Sequence, residues 1–205
     1  MRFFRKDYII GLDLGRASLK LALFLKKEDG GLVLESLKAV EIPPGQTQTE
    51  ALRKLFSDID IKNSKIIAAI NSSGTMVKRA VVPRMPPEEL KEAIRLEARN
   101  YFPFDISDSL LEFEELGEAS EKGVKKIEIL AGVSPNKVIR ESLDSLTRAR
   151  LKASVFIPQG AALRNLLALR GFSAGESIAA LDMGKTLCEL VIVRDGKIAF
   201  NRRIP

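Results

Sequence analysis

One short pattern of residues occurs twice in this sequence, and the duplication restricts the folds open to the chain. Residues 8–24 read YIIGLDLGRASLKLALF, and residues 177–193 read SIAALDMGKTLCELVIV. Each copy predicts an apolar strand, a turn of the form acidic-x-glycine, and a second apolar strand. Each copy is followed by a glycine-containing turn and a third strand. We therefore expect one three-stranded unit to occur twice in the fold.

Composition limits the chemistry that the chain can perform. The sequence has no histidine and a single cysteine, Cys188. A Ser-His-Asp or Cys-His nucleophile, a histidine-ligated zinc and an internal disulfide are therefore excluded. Carboxylates, lysine, hydroxyl groups, backbone amides and a bound magnesium ion are left as possible reactive groups. Cys188 lies in a predicted strand, where we expect a buried and unreactive thiol.

The net charge of +6 over 205 residues is a mild basic excess. It allows an anionic partner such as a nucleotide, an acidic lipid surface or an acidic peptide, although solvated surface charge explains it as well. The basic residues do not alternate with aromatic residues, so we predict no nucleic-acid partner. No apolar run approaches the ~20 residues that span a membrane, and the basic start is not typical of a signal peptide.

The segment between the two copies predicts a separate β/α module. It begins with the rigid linker Pro83-Arg84-Met85-Pro86-Pro87, in which each proline fixes its own backbone and restricts its predecessor. The module is predicted to contain a helix over 88–101, strands over 109–116 and 124–133, a helix capped by Ser134 before Pro135, and a closing strand over 152–157. Ahead of it, Thr47 and Glu50 form a capping-box pattern for a helix over 48–58.

The two acidic-x-glycine turns are candidate phosphate sites. Glycine permits a tight turn with exposed amides that can hold a phosphate, and an aspartate at a strand end can bind magnesium through water. The alternative is ordinary turn chemistry, in which the aspartate bonds its own backbone. Because the pattern stands at the same place in both copies, both interpretations stay open.

Four segments, in wording and order, resemble the PilM family of type IV pilus assembly, which is similar to the cell-division protein FtsA and belongs to the actin-like superfamily. They are IGLDLGRASLKLALF (10–24), VVPRMPPEELKEAIRLEARNYFPFDISD (81–108), EILAGVSPNKVIRESLDSL (128–146) and ALDMGKTLCELVIVRDGKIAFNR (180–202). The resemblance covers essentially the whole chain, which corresponds to the first half to three-fifths of a usual member.

The resemblance implies an α/β fold of the actin-like, ribonuclease-H-like class with an inserted β/α subdomain. Residues 1–83 and 156–176 would form the actin-like subdomain 1A, and residues 84–155 the inserted subdomain 1C. Residues 177–205 would start a second lobe that we expect to be incomplete, so that the fold is truncated.

The resemblance also implies an ATP site with magnesium. The first hairpin would supply Asp13, Gly15, Arg16, Ser18 and Lys20, with Asp13 also on the metal side, and the second would supply Asp182, Gly184, Lys185 and Thr186. Arg16 and Ala17 replace hydroxyl residues of the family pattern, and the acidic positions expected near 155–158 are apolar. These departures predict no catalytic residue and a degenerate or incomplete nucleotide site with little or no ATPase activity.

The family's partner defines the expected function. PilM proteins hold the cytoplasmic N-terminal tail of the membrane protein PilN in a groove between subdomains 1A and 1C, which is extended-peptide recognition. The resemblance thus implies a cytoplasmic scaffold at the inner face of the inner membrane, attached through its partner. Tyr101, Phe102 and Phe104 could line the groove or form the core of the inserted module. Other pilus assembly proteins and a second copy of the chain are further candidate partners.

Three other functions fit part of the pattern. One is the cytoplasmic domain of the type II secretion protein GspL, which has the same fold. A phosphotransferase of the sugar-kinase type would need a carboxylate base, for which residues 155–160 offer no convincing candidate. A ribonuclease-H-like nuclease would need three or four converging carboxylates, and the predicted strand ends supply only Asp13 and Asp182.

Overall fold

Eleven strands and five helices follow one another in the computed structural model, which describes residues 7–121 and 123–204. The first part contains β1 (Asp7–Leu14), β2 (Ser18–Lys26), β3 (Leu32–Glu41), α1 (Gln48–Leu55) and β4 (Ser64–Ile70). The middle part contains β5 (Met76–Pro83), α2 (Pro87–Leu96), α3 (Ala98–Tyr101), β6 (Ser109–Glu121) and β7 (Val124–Pro135). The last part contains α4 (Asn136–Arg148), β8 (Ala153–Pro158), α5 (Gln159–Ala168), β9 (Ser177–Met183), β10 (Cys188–Arg194) and β11 (Lys197–Ile204).

The chain divides into two compact units, each built from two separate stretches of sequence. The first unit runs to Asn71 and resumes over Arg140–Ile157, and the second comprises Ser72–Ile139 and the residues from Pro158 onward. Among the described residues, no helix is both long enough and apolar enough to cross a membrane.

The first unit is a five-stranded sheet with the order β3-β2-β1-β4-β8. The predicted three-stranded meander is confirmed: β1 pairs antiparallel with β2, β2 pairs antiparallel with β3, and β1 runs parallel to β4. Alternate residues of β1 and β2 point into the core, which contains Ile10, Leu12, Leu19 and Leu21. The predicted capping box is also present, because Thr47 Oγ1 accepts from Glu50 N at 3.3 Å and Glu50 Oε2 accepts from Thr47 N at 2.8 Å.

The end of the first unit departs from the sequence prediction. We expected the strand near 152–157 to close the inserted module, but β8 lies beside β4 in the sheet of the first unit. The reason is packing: Leu146 of α4 and Leu151 are buried in the first core, and Phe156 packs against it. The division into subdomains 1A and 1C stays a prediction, while the sheet pairing assigns these elements to the first unit.

The second unit contains two antiparallel three-stranded sheets, with the orders β5-β7-β6 and β11-β10-β9. β6 and β7 are longer than predicted, because the polar tract after residue 116 continues the pairing instead of forming a loop. The predicted helix cap at Ser134 is wrong. Ser134 and Pro135 end β7, where they pair with β6, and Ser134 Oγ shares a 2.9 Å hydrogen bond with Thr75 Oγ1.

Glu128 is a buried charge that links strands of both sheets in the second unit. It lies on β7, and its carboxylate accepts hydrogen bonds from Arg79 of β5 and Lys197 of β11. Burial alone would raise the pKa of Glu128, but the hydrogen bonds from Lys197 and Arg79 outweigh burial, so the pKa lies below its usual value. A lowered pKa in the folded state stabilises the fold while the carboxyl is ionised.

We expect Glu128 to make the free energy of unfolding depend on pH in the acidic range. Its contribution is fully present above the usual glutamate pKa of about 4.3 and is lost as the pH falls through the lower folded-state value. Urea unfolding at pH 7 and at pH 3 should therefore show a smaller loss of stability for Glu128→Gln than for the unaltered chain. Glu114→Gln, on an exposed residue of β6, should lose as much as the unaltered chain. Equal losses for all three would contradict the assignment.

Candidate functional site

The first acidic-x-glycine turn is a tight corner that depends on glycine. It joins β1 to β2, and a Cβ placed on Gly15 would lie within 3.0 Å of the backbone oxygen of Ser18. The corner is also held from outside, because Gln48 Nε2 donates to Gly15 O at 3.4 Å and Ile42 N donates to Ala17 O at 2.8 Å. The predicted turn is therefore confirmed, and glycine is required for it.

The acid of the first turn lies beside a lysine of the following strand. Asp13 and Lys20 face each other across the β1–β2 ladder, and Lys20 Nζ lies 3.2 Å from Asp13 Oδ2. Arg16 is exposed at the tip, and Ser18 begins β2. The turn thus presents an exposed cation at its tip and a carboxylate that already has a cationic neighbour.

The second turn has the same build. Gly184 N donates to Leu187 O at 3.1 Å, and a Cβ on Gly184 would lie 2.7 Å from that same oxygen. Lys185 and Thr186 are exposed at the tip. The duplicated pattern therefore forms the same glycine-dependent corner in both units, as the sequence predicts.

The acid of the second turn belongs to a larger polar cluster under the start of α5. Asp182 accepts a hydrogen bond from Gln159 Nε2 and stands opposite Glu189, which in turn stands opposite Arg203. Glu189 is only 1% exposed and accepts from Arg203 Nε and, at 2.6 Å, from Asn201 Nδ2. This row of charges across β9, β10 and β11 is part of the interior of the second unit.

None of the motifs singled out in the sequence predicts this cluster. A Cβ on Gly160 would lie 2.8 Å from Asn201 Nδ2 and 2.9 Å from Glu189 Oε1, so α5 approaches the cluster as closely as it does only because Gly160 lacks a side chain. The strand alternation in CELVIV could have revealed it, because Glu189 alternates with Val191 and Val193 and so shares their buried face.

Of the two roles considered for the aromatic residues, the structure supports the core of the inserted module, since Phe102 is 2% exposed in a core that Tyr101 and Phe104 contact. Cys188 is half-buried.

Each turn can be compared with what a phosphate group needs. The exposed cations Arg16 and Lys185 and the hydroxyl of Thr186 are suitable donors to phosphate oxygens. The two acids fit a metal role less well, because Asp13 has Lys20 beside it and Asp182 is bonded by Gln159. Nowhere in 7–121 or 123–204 do three or more acidic or cysteine side chains gather as a metal site would require. The metal-side role of Asp13 stays a prediction.

Comparison with known proteins identifies relatives of the whole chain. A family model described as type IV pilus assembly protein PilM matches residues 11–204. The solved PilM–PilN type IV pilus biogenesis complex contains a chain that superposes with a TM-score of 0.77 at 24% identity, over 96% of the present chain. The present chain spans only 61% of that relative's length.

Two further structures share the fold at lower similarity. One is the cytoplasmic domain of EpsL, an inner-membrane component of the type II secretion system of Vibrio cholerae, with a TM-score of 0.57 at 13% identity, covering 97% of the present chain and 71% of the relative. The other is a protein from Bacteroides thetaiotaomicron with an actin-like ATPase fold and unknown function, with a TM-score of 0.53 at 12% identity, covering 97% and 70%. The predicted actin-like α/β fold is confirmed.

Proposed function

The chain belongs to the type IV pilus assembly protein PilM family, and from this membership we propose that it works as an actin-like scaffold in the type IV pilus assembly machinery. The match over residues 11–204 carries the proposal, because it includes both turns and the whole of the segment between them. The scaffold would act in the cytoplasm, at the inner face of the inner membrane, and reach the membrane through its partner.

The proposed partner is the cytoplasmic tail of a PilN-like inner-membrane protein. The relative that superposes at a TM-score of 0.77 was solved in complex with PilN, which supports this partner. An extended tail would bind by main-chain hydrogen bonds together with pockets for alternate side chains.

We further propose that nucleotide is a weak ligand and that the protein is no enzyme. Each turn by itself would bind phosphate oxygens of ATP, the first through Arg16 and the second through Lys185 and Thr186, and magnesium would supply the remaining neutralisation of phosphate charge. The altered turns and the engagement of both acids, Asp13 by Lys20 and Asp182 by Gln159, support weak binding without hydrolysis. A kinase would also need a carboxylate base, and residues 155–160 contain no acidic side chain.

A type II secretion role like that of EpsL is the second candidate, since the EpsL domain has the same fold. The family match and the higher TM-score of the PilM chain favour the pilus role.

Titration calorimetry tests the proposed partner. A synthetic peptide with the N-terminal tail sequence of a PilN-like protein should bind at a ratio of one to one, with a dissociation constant on the order of micromolar. Binding should need no ATP, because the tail and the phosphates would occupy different sites. A peptide of the same composition in scrambled order should release no heat. Absence of binding to a folded sample would overturn the proposed function.

A further inference from the structure

A groove of about 490 Å³ lies wholly within the second unit, and neither the turns nor the proposed nucleotide use it. Its walls are Met76–Arg79 of β5 and Ile198–Arg202 of β11, and its end is formed by Asn100–Pro103. We refer to it as the β5–β11 groove. Both of its walls are edge strands, because β5 and β11 each stand at the end of their sheet.

The walls of the groove offer backbone hydrogen-bonding groups. Val77 N donates to Asn201 Oδ1 at 3.3 Å, so the backbone of Val77 points from β5 toward β11. Along an antiparallel strand, alternate residues turn their N–H and C=O to the same side. Arg79, two residues further on, therefore directs its backbone groups to the same side as Val77. Because Val77 N is already engaged by Asn201, the backbone groups on this side of β5 that an extended segment can bond are those of Arg79.

The groove also has an apolar surface that is open to solvent. Phe200 is 42% exposed on β11, and Tyr101 is half-buried at the end of the groove, above the buried Phe102. Partly exposed aromatic rings beside a groove are typical anchor points for a partner's side chain.

Two cations of the groove lack partners, while two nearby cations do not. Lys78 and Arg202 are exposed, and within the described part of the chain neither has a hydrogen-bond or ion-pair partner. In contrast, Arg79 and Lys197 are both bound to the carboxylate of Glu128. Lys78 and Arg202 stand on opposite walls, so a segment in the groove would meet a positive charge on either side.

We propose that the β5–β11 groove binds an extended segment of a partner protein in which apolar side chains alternate with acidic ones. The acidic side chains pair with Lys78 and Arg202, an apolar side chain packs on Phe200 and Tyr101, and the backbone bonds to the edge of β5. A groove with exposed aromatic rings and a cation on each wall suits an extended peptide better than a lipid surface, which is too broad to enter it. The inference goes beyond the proposed function, because it assigns a second partner chemistry that does not depend on the PilN-like tail.

Fluorescence anisotropy with a defined probe tests the inference on the full chain. The probe is fluorescein-labelled Ser-Glu-Phe-Glu-Val-Glu-Phe-Ser, and its matched control carries lysine in place of each glutamate. We expect the acidic probe to bind with a dissociation constant in the ~10–100 µM range and the lysine peptide to bind at least about tenfold more weakly. Raising the salt from 50 to 500 mM should weaken binding of the acidic probe.

Charge-reversal variants locate the site. Lys78→Glu together with Arg202→Glu should weaken binding of the acidic probe about tenfold or more, and Phe200→Ala about fivefold. Lys125→Glu, on an exposed cation of β7 outside the groove, should leave binding unchanged. These residues are exposed, so circular dichroism should show each variant folded. Phe200→Ala keeps the test decisive if the double variant is unstable.

Three results would overturn the inference. The first is no binding of the acidic probe up to about 1 mM. The second is an equal affinity for the Lys78/Arg202 variant and the Lys125 variant, which would indicate nonspecific attraction. The third is binding to vesicles of anionic phospholipid that competes fully with the probe and is lost in the same variants, which would assign the groove to a membrane surface. The PilN-like tail peptide should not displace the probe from the groove, and its own binding is measured separately by calorimetry, so the two proposals fail separately.

Discussion

Replacing Glu189 with alanine is expected to destabilise the second unit by about 3–5 kcal/mol. Glu189 accepts from Arg203 Nε, and the Arg203 side chain is 8% exposed, so the substitution leaves a buried guanidinium without its carboxylate. Arg203 Nη1 and Nη2 are buried and have no hydrogen-bond partner in the described structure, so nothing nearby replaces the lost acceptor. Asn201 Nδ2 loses its 2.6 Å bond at the same time. Urea unfolding monitored by circular dichroism measures the effect.

A double variant distinguishes a broken ion pair from a simple cavity. Glu189→Met combined with Arg203→Met removes both charges and keeps most of the volume, and such replacements are often neutral or stabilising. We expect the double variant to recover at least about half of the stability lost in Glu189→Ala. If the double variant is as unstable as Glu189→Ala, packing and not the uncompensated charge holds the cluster together.

Replacing Gly15 with alanine is expected to destabilise the first unit by about 1–3 kcal/mol. The added Cβ would lie within 3.0 Å of Ser18 O, and a backbone oxygen cannot move aside as the end of a flexible side chain can. The corner would have to open, which would separate Lys20 from Asp13 and disturb Leu19, a fully buried residue of the core. Hydrogen exchange over residues 10–24 should become faster than in the unaltered chain, together with a lower midpoint of urea unfolding.

The matched control is Gly11→Ala on the same strand. Its Cβ would meet Ala22 Cβ at 4.0 Å, an ordinary contact, so little or no destabilisation is expected. Similar destabilisation by both substitutions would mean that β1 tolerates no side chain at either position, and that the close approach of Gly15 to Ser18 O is not the cause of the loss.

Local patterns predicted local structure well. The meander β1–β2–β3, the capping box of Thr47 and Glu50, and both glycine corners depend on residues a few positions apart, and all are present. The same holds for the turn after β2, where Gly31 N donates to Asp29 Oδ1 at 2.8 Å and Gly30 has a φ of 84°. Short-range hydrogen bonding and steric demand decide such features, and both are readable from sequence.

Features that depend on distant partners were predicted less well. The sequence of β8 specifies a strand but not its neighbour in the sheet. That neighbour is β4, which lies far earlier in the sequence. Ser134-Pro135 has the composition of a helix start, but pairing with β6 and the hydrogen bond to Thr75 keep it in a strand. Glu189 was overlooked for the same reason, because Arg203 and Asn201 reach it from another strand and the approach of α5 depends on Gly160.

The return of the chain to the first sheet has a consequence for biosynthesis. During translation, β1 to β4 emerge first, but β8 and the buried leucines of α4 and its following turn come only after residues 72–139 have been made. Until then, the nascent first unit lacks part of its core, and one edge of β4 has no partner strand. Unpaired strand edges promote association between chains. We therefore expect ribosome-bound chains that end before residue 150 to require binding by chaperones. Chains long enough for residue 158 to have left the ribosomal tunnel should no longer require it.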